Sequence, residues 1–227
     1  LKHEFEIRFS FTHDRIRQAA YSMLSEDEKS AMHLQIGCTY LETFNEKERT
    51  DSLFEFVDHL NAARGLIREK AKRTKLMELN VEAGNKAKKT IAFAAAANYY
   101  EIAESLLTEE EWARIPDKLY EICLEHASAA FLSGDLAKAD MLCDRLMKKA
   151  VSKFQISEIS NIKVQILEFQ GKLVEAIDEI RRSLQLFQVT LPDSDEEIRE
   201  KTGESLMKIQ AFLKTTPVEE LVNLPEM

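Results

Sequence analysis

The sequence is poor in residues that break helices and in residues that cross-link chains. It holds only 6 Gly and 4 Pro among 227 residues, well under the average usage of about 7% and 5%. Few positions can form tight turns, so we expect long helices joined by short loops. Cys38, Cys123 and Cys143 are far apart and form no Cys-x-x-Cys pair. This spacing predicts no metal site and favours reduced thiols in the core.

Long apolar runs are also missing from the sequence. No run approaches the roughly 18 residues that a membrane span needs, and no basic-then-apolar leader opens the chain. The formal net charge of -9 argues against a sequence-independent nucleic-acid binder, because phosphate neutralisation drives such binding. We therefore expect a soluble, cytoplasmic protein with no membrane insertion and no nucleic-acid partner.

A short phrase occurs twice in the second half of the chain. The two copies are Gly134-Asp-Leu136-Ala-Lys-Ala139 and Gly171-Lys-Leu173-Val-Glu-Ala176. Each copy joins two amphipathic stretches, and a fixed period of this kind is typical of stacked helix-turn-helix units. Each glycine stands where a helix must end and the chain reverse, which predicts a left-handed backbone conformation there. Such stacks usually bind other molecules rather than catalyse reactions.

Apolar residues recur at intervals of three and four through most of the chain, as amphipathic helices require. We predict one helix from Thr12 to about Leu24 and a second, started by a capping box at Ser25, to about Phe44. Further helices are predicted over 51–63, 66–90, 93–107, 117–132, on both sides of Gly171, and after a linker at 191–197. The predicted inner face of the first helix consists of Ile16, Ala19, Ala20, Met23 and Leu24. Residues 4–11 alternate apolar and polar side chains, which predicts a strand.

Small side chains occur at matching places in the predicted helix pairs. Ala96, Ala139 and Ala176 lie near the start of each second helix, and Gly84, Ala127 and Val164 lie twelve residues before them. Small residues let the two helices of a pair approach closely. This pattern resembles tetratricopeptide repeats over residues 66–190. The resemblance implies an all-α fold, a superhelix of antiparallel helix pairs.

The same resemblance implies a binding surface. In such stacks the first helix of each pair lines the concave side, and the side chains one, four and five positions after the small residue face it. The candidate surface for peptide or domain docking consists of Asn85, Lys88, Lys89, Ser128, Phe131, Leu132, Gln165, Glu168 and Phe169.

The front of the chain carries a different signal, Phe9-Ser-Phe-Thr-His13-Asp14. It resembles the last strand and helix of the winged-helix element in signal-transducing ATPases with numerous domains. The resemblance implies that His13 and Asp14 sense the nucleotide and keep the ADP-bound state closed, although Thr12 replaces the family's Met. The alternative is structural: Asp14 lies in the first turn of a helix, where a carboxylate favours the dipole, and His13 hydrogen-bonds across the strand.

Nearly the whole chain is similar to the helical region that follows the ATPase module in large bacterial sensor kinases. Those proteins combine Ser/Thr-kinase-like, ATPase, GAF and histidine-kinase domains, so we expect this chain to be a piece of a longer protein. The resemblance divides it into the end of a winged-helix element at 1–24, connecting helices at 25–65 and repeats at 66–190. A linker, a further helix and the truncated start of the next repeat are expected at 191–227.

Catalytic motifs are missing from these residues. The sequence has no Gly-x-x-x-x-Gly-Lys-Ser/Thr loop, no Asp-Phe-Gly and no His-Arg-Asp, so it lacks both a phosphate cradle and a kinase catalytic loop. We expect no enzymatic activity and no cofactor in this segment. The resemblance implies that ATP and Mg bind only in other domains of the parent protein.

The leading hypothesis is a non-catalytic regulatory scaffold that binds another domain of the same polypeptide or a protein or peptide partner. The alternative is an inducer-binding helical sensor arm of an ATPase-type transcription activator. His33, His59 and His126 are interpreted as structural, since the first two are too far apart in sequence to define a metal site. The basic stretch from Arg64 to Lys75 is interpreted as a solvated helix face. A patch for an acidic partner or for phosphates is the alternative.

Overall fold

The computed structural model describes residues 13–108, 110 and 116–215. The helices in this part of the chain are α1 (Asp14–Ser22), α2 (Glu26–Thr43), α3 (Glu46–Asp51), α4 (Leu53–Ala62), α5 (Lys70–Lys89), α6 (Phe93–Ser105), α7 (Pro116–Leu132), α8 (Leu136–Met147), α9 (Lys153–Phe169), α10 (Leu173–Gln185) and α11 (Asp195–Thr215). A 3-10 turn at Arg64–Leu66 precedes α5. The predicted all-α class is confirmed. The strand predicted at 4–11 lies outside the described residues.

The chain divides into two compact units, the first ending at Ala150 and the second beginning at Val151. In the first unit, α4 packs against both α2 and α5, α5 packs against α6, α6 against α7, and α7 against α8. In the second unit, α9 packs against α10. Consecutive helices that are joined by short turns and pack on each other are antiparallel, which confirms the predicted helix pairs.

Capping boxes begin three of the helices. The Ser25 hydroxyl accepts a hydrogen bond from the backbone N–H of Glu28 at 3.3 Å, and the Glu28 carboxylate accepts from the Ser25 N–H at 2.8 Å. This confirms the predicted start of α2, because the box satisfies two backbone donors that the helix itself leaves unpaired. Asn45 and Ser152 begin α3 and α9 in the same way. The sequence patterns did not predict α3.

The predicted inner face of α1 is wrong. This helix has no buried residue; Ile16 and Met23 are exposed, Met23 by 85%, and only Leu24, which follows the helix, is half-buried. The sequence pattern specifies which face of a helix is apolar, but a neighbouring element must cover that face. No described helix covers this one.

The turns at Gly134 and Gly171 have the predicted left-handed conformation, with φ of 89° and 73°. After Gly134, the backbone N–H of Asp135 donates to the Ala130 carbonyl at 2.9 Å, and after Gly171 the N–H of Lys172 bonds to the carbonyl five residues before it at the same distance. These are Schellman helix ends. A Cβ at either glycine would meet nothing within 4 Å, so the positive φ alone accounts for glycine.

A third turn of the same kind ends α5, but it carries Ile91 instead of glycine. The φ of Ile91 is 63°, its N–H donates to the Lys88 carbonyl at 3.0 Å, and the N–H of Ala92 donates to the Ala87 carbonyl at 2.9 Å. A β-branched residue in this conformation is strained by about 1–2 kcal/mol. The glycine pattern therefore could not reveal this turn.

Close helix contacts explain the small residues of the repeat. Ala96, Ala139 and Ala176 are all buried. Between α5 and α6, a Cβ on Gly84 would lie 2.8 Å from Cε1 of Tyr100, a residue that is itself fully buried. The small side chains therefore allow close approach, as predicted.

The core of the first unit lies around α4, α5 and α6. The largest fully buried side chains there include Leu53, Phe56, Val57, Leu76, Met77 and Tyr100. In the second unit, Ile159, Ile162, Val164 and Ile166 are buried on α9. Phe169 and Leu173 belong to apolar stripes in the sequence, yet they are 74% and 61% exposed. No described helix has both the length and the apolar content that crossing a bilayer requires.

Candidate functional site

Within the described residues, no three His, Cys, Asp or Glu side chains converge in a way that would hold a metal ion. The polar groups that do meet form three sets: a buried charged network on α6, α7 and α8, a histidine pair between α2 and α4, and exposed side chains on the helix surfaces.

The buried network is built around Glu104 of α6, whose side chain is only 9% exposed. His126 Nδ1 of α7 lies 2.7 Å from Glu104 Oε1. The Arg145 guanidinium of α8 donates to the other carboxylate oxygen and lies 3.7 Å from the sulfur of Cys123. One carboxylate thus connects three consecutive helices. The interpretation of His126 as a structural histidine is confirmed, whereas the sequence patterns missed the roles of Glu104 and Arg145.

Electrostatics make this network structural rather than reactive. Burial alone would raise the pKa of Glu104, but the hydrogen bond from His126 and the positive charge of Arg145 hold that pKa below its ordinary range. Burial, with a further contribution from Glu104, raises the pKa of the Cys123 thiol to about 12. A nucleophilic cysteine acts as a thiolate. Cys123 stays protonated at neutral pH and is no candidate nucleophile.

His33 of α2 and His59 of α4 form the histidine pair. Their Nδ1 atoms are 2.6 Å apart, and the hydroxyl oxygen of Tyr21 lies 2.9 Å from His33 Nε2. One Nδ1 must carry a proton and the other must accept it, so the two rings share one proton at this contact. The sequence patterns identified both histidines but could not place them together, because the contact depends on how α2 packs on α4.

The surroundings of His59 disfavour its charged form. Burial lowers the pKa of His59 first and the neighbouring His33 lowers it further, while Glu55 and Asp58 oppose these effects. Asp58 also accepts a hydrogen bond from the Tyr99 hydroxyl at 2.8 Å. The lowered pKa of His59 favours its neutral form in this hydrogen-bonded contact between helices, in line with the predicted structural role.

His13 and Asp14 lie at the exposed start of α1. His13 is the extended residue before the helix and its side chain makes no capping hydrogen bond. Asp14 lies in the first turn and forms an exposed ion pair with Arg17 at 3.2 Å. This position agrees with the structural alternative for Asp14. The nucleotide-sensing role stays a prediction for the parent protein.

The predicted concave surface contains two residues that are already engaged. Asn85 accepts a hydrogen bond from the Tyr100 hydroxyl at 2.7 Å, and Lys88 forms an ion pair with Glu125. The second contact links the first helices of two successive pairs, α5 and α7.

The other predicted surface residues differ in exposure. In the first unit, Lys89 and Leu132 are exposed and Ser128 and Phe131 are half-buried. In the second unit, Glu168 and Phe169 are exposed and Gln165 is half-buried. Amide, charged and aromatic groups are therefore available for binding within each unit. Their joint use as one surface stays a prediction.

The basic stretch is mostly a solvated face, as interpreted, since Arg64, Arg68, Lys72 and Lys75 are all exposed. Three of its arginines also line an open cavity of about 520 Å³ that reaches Ser105 and Thr108 at the end of α6. These arginines are Arg64, Arg68 and Arg73.

An exposed apolar patch lies on α10 in the second unit. We define the α10 patch as Leu173, Val174 and Ile177, which are 61%, 71% and 47% exposed and lie on one helix face by their spacing. Phe169, just before the turn into α10, is exposed as well. Exposed apolar groups at neighbouring positions are typical of surfaces that bind proteins. Sequence periodicity could not identify this patch, because the same apolar spacing also predicts a buried helix face.

Comparison with known proteins gives one relationship of note. The chain is 29% identical over 196 residues to hybrid signal transduction histidine kinase G of Dictyostelium discoideum, and the match covers 76% of this chain. The chain spans only about 6% of the length of that relative. No family model matches the chain, and no solved structure matches it. The predicted similarity to signal-transduction kinases is supported at this level. A bacterial parent and an adjacent ATPase module stay predictions, since this relative is eukaryotic.

Proposed function

We propose that this chain is a non-catalytic regulatory segment of a multidomain signal-transduction kinase. It binds another domain of the same polypeptide or a protein partner and passes that binding to catalytic domains elsewhere in the parent. The observation that carries the proposal is the match of most of this chain to a small part of a much longer histidine kinase. A kinase of that length has room for a helical scaffold of this size beside its catalytic domains.

The contacts described above support a binding role. Buried polar groups of the first unit bond helices to one another. Glu104 pairs with His126 and Arg145, and Asn61 exchanges hydrogen bonds with Asn80. The buried Cys123 beside them is not an activated nucleophile, and the described residues hold no cluster of three metal-ligating side chains. Helix pairs of this kind present their outer faces to other molecules.

The α10 patch is the proposed docking surface of the second unit. Burial of its exposed apolar side chains against a partner would be favourable by about 25 cal/mol per Å² of apolar surface removed from water. The face of α10 that meets α9 is already occupied, with Ala176 buried and Glu179 bonded to Ser160 at 2.6 Å. The α10 patch is therefore open to a domain of the parent or to a protein partner.

The test compares two surface variants of the full-length parent. We expect the double substitution Leu173→Ser and Ile177→Ser to change signal-dependent autophosphorylation. It should also weaken association of this chain with the remaining domains by at least fivefold, roughly 1 kcal/mol. Met141→Ser is the matched control, because Met141 is a similarly exposed apolar residue on α8. Association is measured by calorimetry and folding by circular dichroism. Unchanged phosphorylation together with unchanged association in the folded double variant contradicts the proposal.

A further inference from the structure

An apolar cavity of about 210 Å³ lies in the first unit, between α2 and α5. Both helices pack against α4, which forms the base of the cavity with Leu60. The helices α2 and α4 approach closely at Gly37, where a Cβ would lie 2.6 Å from the Leu60 side chain. On the other side, Asn61 and Asn80 exchange two amide hydrogen bonds of 2.8 Å that fix α4 to α5. The cavity is the space left where α2 and α5 flank α4.

The interior of this cavity is almost entirely hydrocarbon. Leu60, Leu76 and Leu79 are buried at its base, and Leu34, Cys38 and Leu41 of α2 form a half-buried wall. An apolar cavity of roughly 150 Å³ stays dry and takes up a molecule the size of benzene. The cavity is therefore large enough for a short alkyl chain or a phenyl ring, and filling it restores dispersion contacts that an empty space lacks.

The rim of the cavity carries charge. Lys72 and Lys75 of α5 lie on one side and Glu42 of α2 lies on the other. Lys72 forms an ion pair with Glu69 at 3.0 Å. Lys75 has no hydrogen-bond or ion-pair partner in the described part of the chain. One ammonium group is thus available beside an apolar interior, while Glu42 disfavours a second negative charge on a ligand.

We propose that this cavity binds a small monocarboxylate whose apolar group is a short alkyl chain or a phenyl ring. The apolar group fills the space above Leu60, and the carboxylate pairs with the ammonium group of Lys75. Dianions are disfavoured because Glu42 lies at the same rim. The site is a second property of the chain and does not depend on its role as a scaffold.

Titration of the 227-residue chain with a series of straight-chain carboxylates tests the apolar part of the proposal. From butanoate to hexanoate, each added methylene group should tighten binding by roughly fourfold, as expected for burial of one CH₂. Hexan-1-ol and the dicarboxylate adipate should bind more weakly than hexanoate. Affinities come from NMR shifts of amides in α2 and α5. Absence of binding, or affinity that does not change with chain length, overturns the proposal.

Substitutions at the rim test the charged part. Lys75→Gln should weaken hexanoate binding by about two- to fivefold, the range for an exposed ion pair, and should leave hexan-1-ol binding unchanged. Lys75→Arg keeps the charge and should keep the affinity. Lys70→Gln is the matched control, since Lys70 is exposed on the same helix and does not line the cavity. Equal affinities for hexanoate in all three variants overturn the assignment to Lys75.

Cys38 supplies a readout that needs no rim substitution. It lines the cavity and is half-buried, whereas Cys123 and Cys143 are buried. Iodoacetamide should therefore alkylate Cys38 first, and saturating hexanoate should slow that reaction severalfold. Cys38→Leu places a larger side chain in the cavity and should abolish hexanoate binding while the helical circular dichroism spectrum is retained. Alkylation that hexanoate does not slow, or full binding by Cys38→Leu, contradicts the proposal.

Discussion

The two copies of the Gly-x-Leu-x-x-Ala phrase form the same turn in different surroundings. Both glycines have a positive φ, both turns close with the same pair of backbone hydrogen bonds, and Ala139 and Ala176 are both buried. The leucine of the phrase differs: Leu136 is half-buried, whereas Leu173 is 61% exposed. The local geometry is repeated, but the burial is not.

The difference in burial follows from the number of helices that are bonded to the helix after each glycine, which is α8 for the first copy and α10 for the second. From α8, Arg145 bonds to Glu104 of α6 and to Cys123 of α7, and Lys138 bonds to Glu101 of α6 at 2.7 Å. From α10, the described helix-to-helix bonds reach α9, through Glu179 to Ser160 and through Ser183 to Ser157. A helix of a repeat is covered only when neighbours lie on both of its apolar faces. The helix of the first copy is therefore covered by more neighbours, whereas the helix of the second copy keeps an exposed apolar surface.

The largest expected effect comes from breaking the charged link to neighbouring helices that α8 has and that α10 lacks within the described part of the chain. Glu104→Ala leaves Arg145 and the buried His126 without their shared acceptor, which should lower the free energy of unfolding by about 3 kcal/mol. Glu101→Ala is the matched control on the same helix, because its ion pair with Lys138 is more exposed; it should cost less than about 0.5 kcal/mol. Urea unfolding measures both. Equal losses would refute the importance of the buried link.

The same carboxylate gives a pH dependence. The folded-state pKa of Glu104 is below the ordinary value of 4.5, so its contribution to stability is present above that pH and is lost as the pH falls below it. Acid unfolding of the wild type should be steeper than that of Glu104→Ala.

A matched pair of leucine substitutions tests the difference in burial directly. Leu136→Ala should lower the free energy of unfolding by about 1.5 kcal/mol, less than a fully buried leucine because Leu136 is half-buried. Leu173→Ala should change it by less than about 0.5 kcal/mol, as for other exposed positions. Unfolding of the two units is followed by amide hydrogen exchange in α8 and α10. A larger loss for Leu173→Ala would show that the second copy is core after all.

The smallest expected effect concerns the third turn, where Ile91 takes the place of glycine. Ile91→Gly removes the strain of a β-branched residue at φ 63°. The larger backbone entropy that glycine loses on folding offsets part of this gain, so the free energy of unfolding should rise by about 0.5–1 kcal/mol. Little burial is lost, since Ile91 is 75% exposed. Ile91→Ala keeps a Cβ and should gain less. A loss of stability in Ile91→Gly, measured by thermal unfolding, contradicts the assignment of strain.

Sequence patterns predicted most helices and two of the four described turns with a positive φ, which lie at Gly134, Gly171, Ile91 and Gln188, because these features depend on neighbouring residues. The Ser25 box, Gly134 and Gly171 each act within one helix end. The Ile91 turn was not predicted, because its left-handed backbone conformation occurs at a residue other than glycine. The exposed apolar face of α1 was misjudged as an inner face for the opposite reason: the pattern was present, but no helix among the described residues covers it.

The candidate sites were less predictable than the helices. His33 and His59 are 26 residues apart and Glu104 and His126 are 22 apart, so no local pattern joins them. The cavity beside Lys75 depends on two helices flanking a third. Asn85 and Lys88 were predicted by analogy with a repeat, and the structure shows both bonded within the protein.

Local features of the amino-acid sequence specify the all-α class, the helix starts and the chain reversals at Gly134 and Gly171. These follow from hydrophobic period, capping chemistry and backbone sterics, which act over a few residues. The tertiary structure decided which apolar faces are covered, which histidines share a proton, where Glu104 is paired and where an apolar cavity remains. Those outcomes depend on how many helices meet at a given place, because burial and pairing are properties of contacts between residues far apart in the chain.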